Sequence, residues 1–237
     1  EEPAPAPEPE PTPEPAPSEE VTVSSYADYA ALPSDGSAVV TIESYVQGAQ
    51  SYYNGTASLY LQDKDGAYFL YNMACSEADF AKLEKGTKIK VKGYKAEWSG
   101  EVEIVDATFE IMEGNWVAEA MDASALLGTD DLVKHQNKFV SFKGMTVEPS
   151  VDGAGNEAAY LYKWDGSGQD GDDLYFNVSI GETVYTFTVN AYMIGTGVDS
   201  DVYKAVEALV AGDVVDIEGF AYWYEGLNTH ITSVTKK

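Results

Sequence analysis

Beyond residue 20, hydrophobic and polar positions alternate with a period of two over most of the chain. That spacing belongs to half-buried strands rather than helices. Segments 38–47 (AVVTIESYVQ) and 57–62 (ASLYLQ) read as strands, Asp63-Lys-Asp-Gly66 as a turn, and 67–73 (AYFLYNM) as the returning strand of a hairpin. Ser76, with an acid three positions on at Asp79, is an N-cap signal. The helix it starts would carry Phe80 and Leu83 inward and stop at Gly86. Segments 87–97 and 101–111 then form a second hairpin about Ser99-Gly100. The predicted order is three strands, a short helix and two strands.

The same order is predicted twice. Segment 86–100 (GTKIKVKGYKAEWSG) aligns without a gap on 212–226 (GDVVDIEGFAYWYEG) at a constant offset of 126. The glycines coincide, as do Ile89/Val215, Val91/Ile217, Tyr94/Phe220 and Trp98/Tyr224. A repeat of that length means two copies of one domain. In the second copy 138–148 is the first strand, offset by 100 through Val40/Val140 and Ile42/Phe142; 201–211 is the helix, and 213–222 with 227–235 the closing hairpin. The rise in offset places 26 extra residues ahead of the second helix. They are expected to hold 151–156, the loop 166–173 and an additional hairpin of 174–180 with 183–190. Short alanine-rich segments, 26–32 and 121–127, precede the copies and are predicted to form a helical turn plugging each barrel end. The expected division is a Pro/Glu-rich linker at 1–20, one domain at 21–117 and a second, with the inserted hairpin and acidic loop, at 118–237. Each domain is long enough to bury its own core.

Five strands with a helix between the third and fourth is the plan of an OB-fold barrel, so the fold class expected is mainly β, two tandem OB-fold-like five-stranded barrels. The chain resembles the tandem OB-fold modules of bacterial surface lipoproteins, in which a GT-x-[IV]-x-V-x-G-[YF] strand and a D-x-D-G hairpin recur. Gly86–Tyr94 and Asp63–Gly66 carry those patterns here. The resemblance is specific for fold and weak for function, because OB folds carry many unrelated functions.

Composition adds location and partners. Residues 1–20 hold eight of the ten prolines among alternating Ala and Glu, a pattern that favours an extended polyproline II stalk. Such segments follow the lipidated cysteine of bacterial lipoproteins. The resemblance therefore implies an extracellular, membrane-anchored protein whose signal peptide and lipidated cysteine lie upstream of residue 1. The formal charge is −26, and every basic residue is lysine. Without arginine for bidentate phosphate contacts and with a strong negative field, nucleic acid is not expected as a partner. The single cysteine, Cys75, allows no internal disulfide and is read as a small buried filler.

No nucleophile elbow, metalloprotease motif, phosphate loop or dinucleotide fingerprint occurs, and no catalytic residue is assigned. Tyrosines number 17 and tryptophans 4, more than two small cores require. OB barrels bind oligomers on strands two and three and the flanking loops. That face offers Tyr60, Tyr68 and Tyr71 in the first copy, and Tyr160, Tyr162, Trp164, Tyr175 and Tyr185 in the second. The candidate ligand-binding residues are Tyr52, Tyr53, Trp98, Trp164, Tyr222, Trp223 and Tyr224, which turns and loops should expose. Asp165, Asp170, Asp172 and Asp173 crowd one loop and could supply oxygens to Ca²⁺, although the spacing is not that of an EF-hand. A solvated acidic loop is the commoner outcome of such a run, and no other cofactor is implied. His135 and His230 lack a neighbouring Cys or His and are expected at the surface.

The function these features point to is a non-catalytic cell-surface binding protein. It would recognise an extended neutral ligand, glycan or peptide, through exposed aromatics, with the second copy as the specialised binder. A scaffolding subunit of a surface protein assembly is the alternative, and single-stranded nucleic-acid binding a further one.

Overall fold

The computed structural model describes residues 20–237. The stalk expected at 1–20 lies, but for its last residue, outside the described residues. The first barrel comprises α1 (Tyr26–Ala31), β1 (Asp35–Ala49), β2 (Thr56–Gln62), β3 (Ala67–Ala74), α2 (Glu77–Phe80), β4 (Thr87–Trp98) and β5 (Glu101–Asn115). Antiparallel pairing joins β1 to β2, β2 to β3, β5 to β4 and β4 back to β1. A parallel pairing of β3 with β5 closes the circuit, which is the OB connectivity. The alternation read in the sequence is the burial pattern found. On β4, Ile89 and Val91 are buried while Lys90 and Lys92 are exposed. The core gathers them with Val40, Ile42, Leu59, Leu61, Leu70 and Ile104, each contributing about 1.5–3 kcal/mol by leaving water.

The plug predicted at 26–32 is α1. Ser25 caps its start by accepting from Asp28 N at 3.2 Å. At its other end the buried Lys95 Nζ donates to the carbonyls of Tyr29 (2.9 Å), Ala30 (3.3 Å) and Leu32 (2.6 Å). The Tyr29 carbonyl also accepts from Leu32 N, and the lysine supplies a further donor to the carbonyls of this helix end. Tyr29 enters the core and meets Tyr68 edge-on at 4.9 Å. Ser76 caps α2 as its sequence predicts, and Cys75 is buried.

The second barrel repeats the circuit with β6 (Phe139–Glu148), β7 (Leu174–Ile180), β8 (Thr183–Val189), α3 (Asp201–Glu207), β9 (Val214–Phe220) and β10 (His230–Lys236). A 3₁₀ turn at Ser124–Leu126 takes the place of α1. One expectation changes. The hairpin 174–190 is no addition: it supplies the barrel's own second and third strands. The added residues lie earlier, between β6 and β7. They form a small hairpin of Ser150–Val151 with Glu157–Ala158 and a short strand, Leu161–Tyr162, beside β7. The offset counts the inserted residues but leaves their position within the segment open, and both hairpins alternate equally well.

The central glycine of the repeat has a steric reason. Gly93 and Gly219 sit at register shifts in the β4–β5 and β9–β10 ladders. A Cβ on Gly219 would run into the His230 carbonyl oxygen, and one on Gly93 would come within 2.8 Å of the Val105 carbonyl oxygen. Backbone cannot move aside as a side chain can. Gly219→Ala is therefore expected to cost about 3 kcal/mol, measured by urea denaturation. Gly36→Ala is the control: φ is +82° but no atom lies within 4 Å, so the cost there is only about 1–2 kcal/mol of backbone strain.

The barrels dock through a third apolar cluster of Tyr60, Phe69, Met193 and Phe220. Tyr60 from β2 stacks on Phe220 from β9 at 4.3 Å and 4°, and Phe69 from β3 meets Tyr222 at 5.5 Å. Polar contacts frame the cluster. Phe139 N donates to Gln62 Oε1 at 2.7 Å, and Ser51 N and Ile194 N cross between the barrels to the carbonyls of Tyr192 and Ala49. Gln136 accepts from Val102 N and donates to the Gly100 carbonyl. His230, expected at the surface, is instead buried in this junction, where its Nδ1 lies 2.6 Å from the Tyr60 hydroxyl. The repeat offset showed that a second barrel exists, but carries no information on which face it covers.

Candidate functional site

Docking leaves the two OB faces in opposite states. On the first barrel, β2 and β3 turn Tyr60 and Phe69 into the junction, while Tyr68 points into the core. Of the tyrosines expected on that face, only Tyr71 is exposed. The second barrel covers the surface on which the first would bind an oligomer. The matching face of the second barrel, β7 and β8, is open and floors a cleft of about 1000 Å³.

Tyr175, Tyr185, Thr186 and Thr188 form the floor, and Trp164 flanks it from the inserted segment. The β9–β10 loop contributes Tyr222, Tyr224 and Asn228. The first barrel contributes Gln50 and Trp98, so the site belongs to both copies. Trp98 and Tyr224, equivalent positions of the repeat, meet at 5.3 Å between ring centres. The β9–β10 loop is held by its own backbone, Tyr224 N donating to the Gly226 carbonyl and Asn228 N to that of Tyr222. Two contacts fix it to the tip of the β4–β5 hairpin: Glu225 N donates to the Ser99 carbonyl at 2.7 Å, and Trp223 N to Glu101 Oε2 at 2.8 Å. Glu101 is fully buried, and its other oxygen accepts from Asn137 Nδ2 at 2.6 Å. A single side chain of one barrel thus holds two points of the other.

Burial governs the titrating groups behind the cleft. It pushes the Glu101 carboxyl up to about 8 and His230 down to about 3, so His230 is neutral and shares one hydrogen bond between its Nδ1 and the Tyr60 hydroxyl. Burial, then the nearby Glu101 and Glu103, raises the Tyr222 phenol. Burial also raises Asp173, whose Oδ1 accepts from Ala191 N. Asp173 and Glu225 line the cleft, and no lysine does.

Of the residues singled out in the sequence, Trp98, Trp164, Tyr222 and Tyr224 come together in the cleft. Tyr52 packs near Phe80 at 5.6 Å, and Tyr53 is exposed on the β1–β2 loop; neither lines it. Trp223 faces a separate hollow with Leu132 and Val133. Three of the four acids singled out in this loop, Asp165, Asp172 and Asp173, are engaged by nearby donors. Asp165 accepts from Ser167 N, Asp172 accepts from Gln169 N and lies 3.7 Å from Lys163, and Asp173 is turned to Ala191. Among the described residues no three His, Cys, Asp or Glu side chains gather closely enough to hold a metal ion. Sequence reasoning missed Gln50, Asn190, Asn228 and Glu101, polar residues that nothing in a local pattern distinguishes from other loop residues.

No protein-family model matches the sequence, and no curated protein matches it. Among solved structures, a murine DNA binding protein bound with double-stranded DNA aligns over 83% of this chain and 96% of its own, at 10% identity and a TM-score of 0.38. The Ifi202 HINa domain in complex with 20-bp double-stranded DNA aligns over 83% and 94%, at 11% identity and a TM-score of 0.35. A deletion mutant of the single-stranded DNA binding protein from Thermus aquaticus aligns over 84% and 93%, at 13% identity and a TM-score of 0.27. The OB connectivity of this chain stands on its own strand pairing. Against the expectation that nucleic acid is no partner, the structures to which this chain is similar include proteins recorded with double-stranded DNA. Net charge describes the far field and does not by itself decide whether exposed rings can stack on a base.

Proposed function

We propose that this is a non-catalytic binding protein whose single open OB face, completed by the first barrel, holds a linear neutral oligosaccharide. One observation carries the reading: the cleft combines exposed rings with amide and hydroxyl groups and has no lysine. Sugar rings have apolar faces that stack on Trp and Tyr, and hydroxyl edges that suit Asn190, Asn228, Thr186 and Gln50. Trp98 and Trp164, 53% and 75% exposed, present most of the ring surface. Placement at an outer cell surface belongs to the same proposal and rests on the Pro/Glu composition of residues 1–20.

A second reading, single-stranded nucleic acid, is favoured by the floor being strands two and three of the barrel, the face on which OB folds stack bases. Affinity electrophoresis in gels of soluble neutral polysaccharides, with a parallel titration of single-stranded DNA, separates the two. The expected result is retardation by one polysaccharide at any ionic strength. Trp98→Ala should weaken it roughly 30-fold, the loss of one aromatic hot spot. Binding of DNA alone, weakening steeply with salt, would replace the glycan reading with the second.

A further inference from the structure

Tyr185 and Leu227 each line two concavities. On one side lies the aromatic cleft; on the other, a hollow of about 430 Å³ lined by Trp223, Leu132, Val133 and Thr129. The two concavities share Tyr185 and Leu227 as a common wall. We propose that the hollow is an outer subsite of the same site, holding the units of the chain that run past Tyr185. This rests on the oligosaccharide reading of the main cleft.

Three observations point to a ligand rather than to surface relief. First, the hollow is built on fixed parts. Trp223 is tied through its backbone N–H to buried Glu101 and bridges Leu227 across the loop, and its side chain packs in part against the core, so little of it is left to order on binding. Second, its chemistry continues that of the cleft. A flat indole, a tyrosine face and the Thr129 hydroxyl are present; Asp130 is the one charged group lining it, and again no lysine does. Third, Val133 is 48% exposed on a short 3₁₀ helix that already carries Leu132 into the core. An exposed valine beside a partly buried Trp is apolar area left for a partner to cover.

The consequence is that affinity depends on chain length. Isothermal titration of the full chain with two- to eight-unit oligosaccharides, cut from the polysaccharide that retards it, reads this directly. Affinity is expected to rise again, at least tenfold, once the chain is long enough to cross Tyr185. Trp223→Ala should remove that second rise while changing binding of the shortest bound oligomers less than twofold. Because Trp223 also packs against the core, Val133→Arg serves as the second variant: it fills the hollow from an exposed position and should act likewise with an unchanged melting temperature. Affinity that levels off with short oligomers and is unmoved by Val133→Arg would overturn the outer subsite yet leave the main cleft standing. Absence of any binding in the series would remove the oligosaccharide reading itself. A dimer in sedimentation that Val133→Arg dissolves would give the hollow to a second copy of the chain and overturn the proposal.

Discussion

Replacing Glu101 with glutamine is expected to stabilise the protein progressively as the pH rises. The gap over the unaltered chain should widen by about 4–5 kcal/mol between pH 4 and pH 9. In the unfolded chain the carboxyl titrates near its ordinary value, about 4.5, whereas in the fold burial holds it protonated up to about 8. Between those pH values the unfolded state has released a proton that the folded state keeps, so stability falls as pH rises through the window and is level beyond it. Each unit is worth about 1.4 kcal/mol. His230 acts in the other direction. Its folded value of about 3 lies below the ordinary 6.5, so stability falls as pH drops from 6.5 to 3. The two slopes cancel between about 4.5 and 6.5. The unaltered protein should therefore change less with pH there than Glu101→Gln, which keeps the His230 gain up to pH 6.5 without the opposing Glu101 loss. Glutamine can keep the existing geometry. Its oxygen accepts from Trp223 N, and once the Asn137 amide, which now donates through Nδ2, turns over, the glutamine amide donates to Asn137 Oδ1, otherwise buried without a partner. Urea denaturation at half-unit pH intervals measures both curves, and parallel curves would refute the assignment. Glu103, buried on the same strand and also raised by burial, is present in both proteins and drops out of the difference.

Glu101 also shows where the sequence stops being legible. In the repeat alignment it follows the Ser-Gly turn and reads as one more exposed acid in a chain with forty. Nothing local distinguishes it from Glu97, which is exposed on the same hairpin. Only the arrival of the second barrel buries it. The same holds for His230, Tyr60 and Phe69, whose alternation says which face of a strand they occupy but not what covers that face. By contrast, the barrel circuits follow from short-range signals: the period of two, the Asp63–Gly66 turn, the Ser76 cap and glycines that no other residue could replace. The candidate site divides along the same line. Trp98, Trp164, Tyr222 and Tyr224 were legible because turn and loop positions expose large rings. Tyr52 and Trp223 stand in equally turn-rich segments, yet they meet other partners. Loop position predicts exposure, and the direction of exposure is set by tertiary docking.

Docking is also where the site is most vulnerable. Phe220→Ala is expected to lower stability by about 3–5 kcal/mol, the cost of deleting a buried aromatic ring, and to weaken binding in the cleft although Phe220 does not line it. The ring is 2% exposed, stacked on Tyr60 and tilted against Phe139 at 5.3 Å. On its far edge a Cβ added to Gly48 would come within 2.7 Å of it, so the first barrel has already lost a side chain to make room. Alanine would leave a cavity walled by both barrels, which a close-packed junction cannot collapse to fill. Trp98 and Gln50 would then no longer be held against the β7–β8 floor, because their barrel is positioned through this cluster. Denaturation followed by tryptophan fluorescence and by far-UV circular dichroism measures the first effect. Coincident transitions in the unaltered chain should separate in the variant as the barrels unfold independently. Phe220→Leu, which fills most of the space, should recover much of the stability and the binding together. Full loss of binding in Phe220→Ala with coincident transitions and unchanged stability would contradict this account of the junction. Recovery of stability without binding in Phe220→Leu would show instead that the aromatic stack on Tyr60, and not the volume filled, sets the position of Trp98.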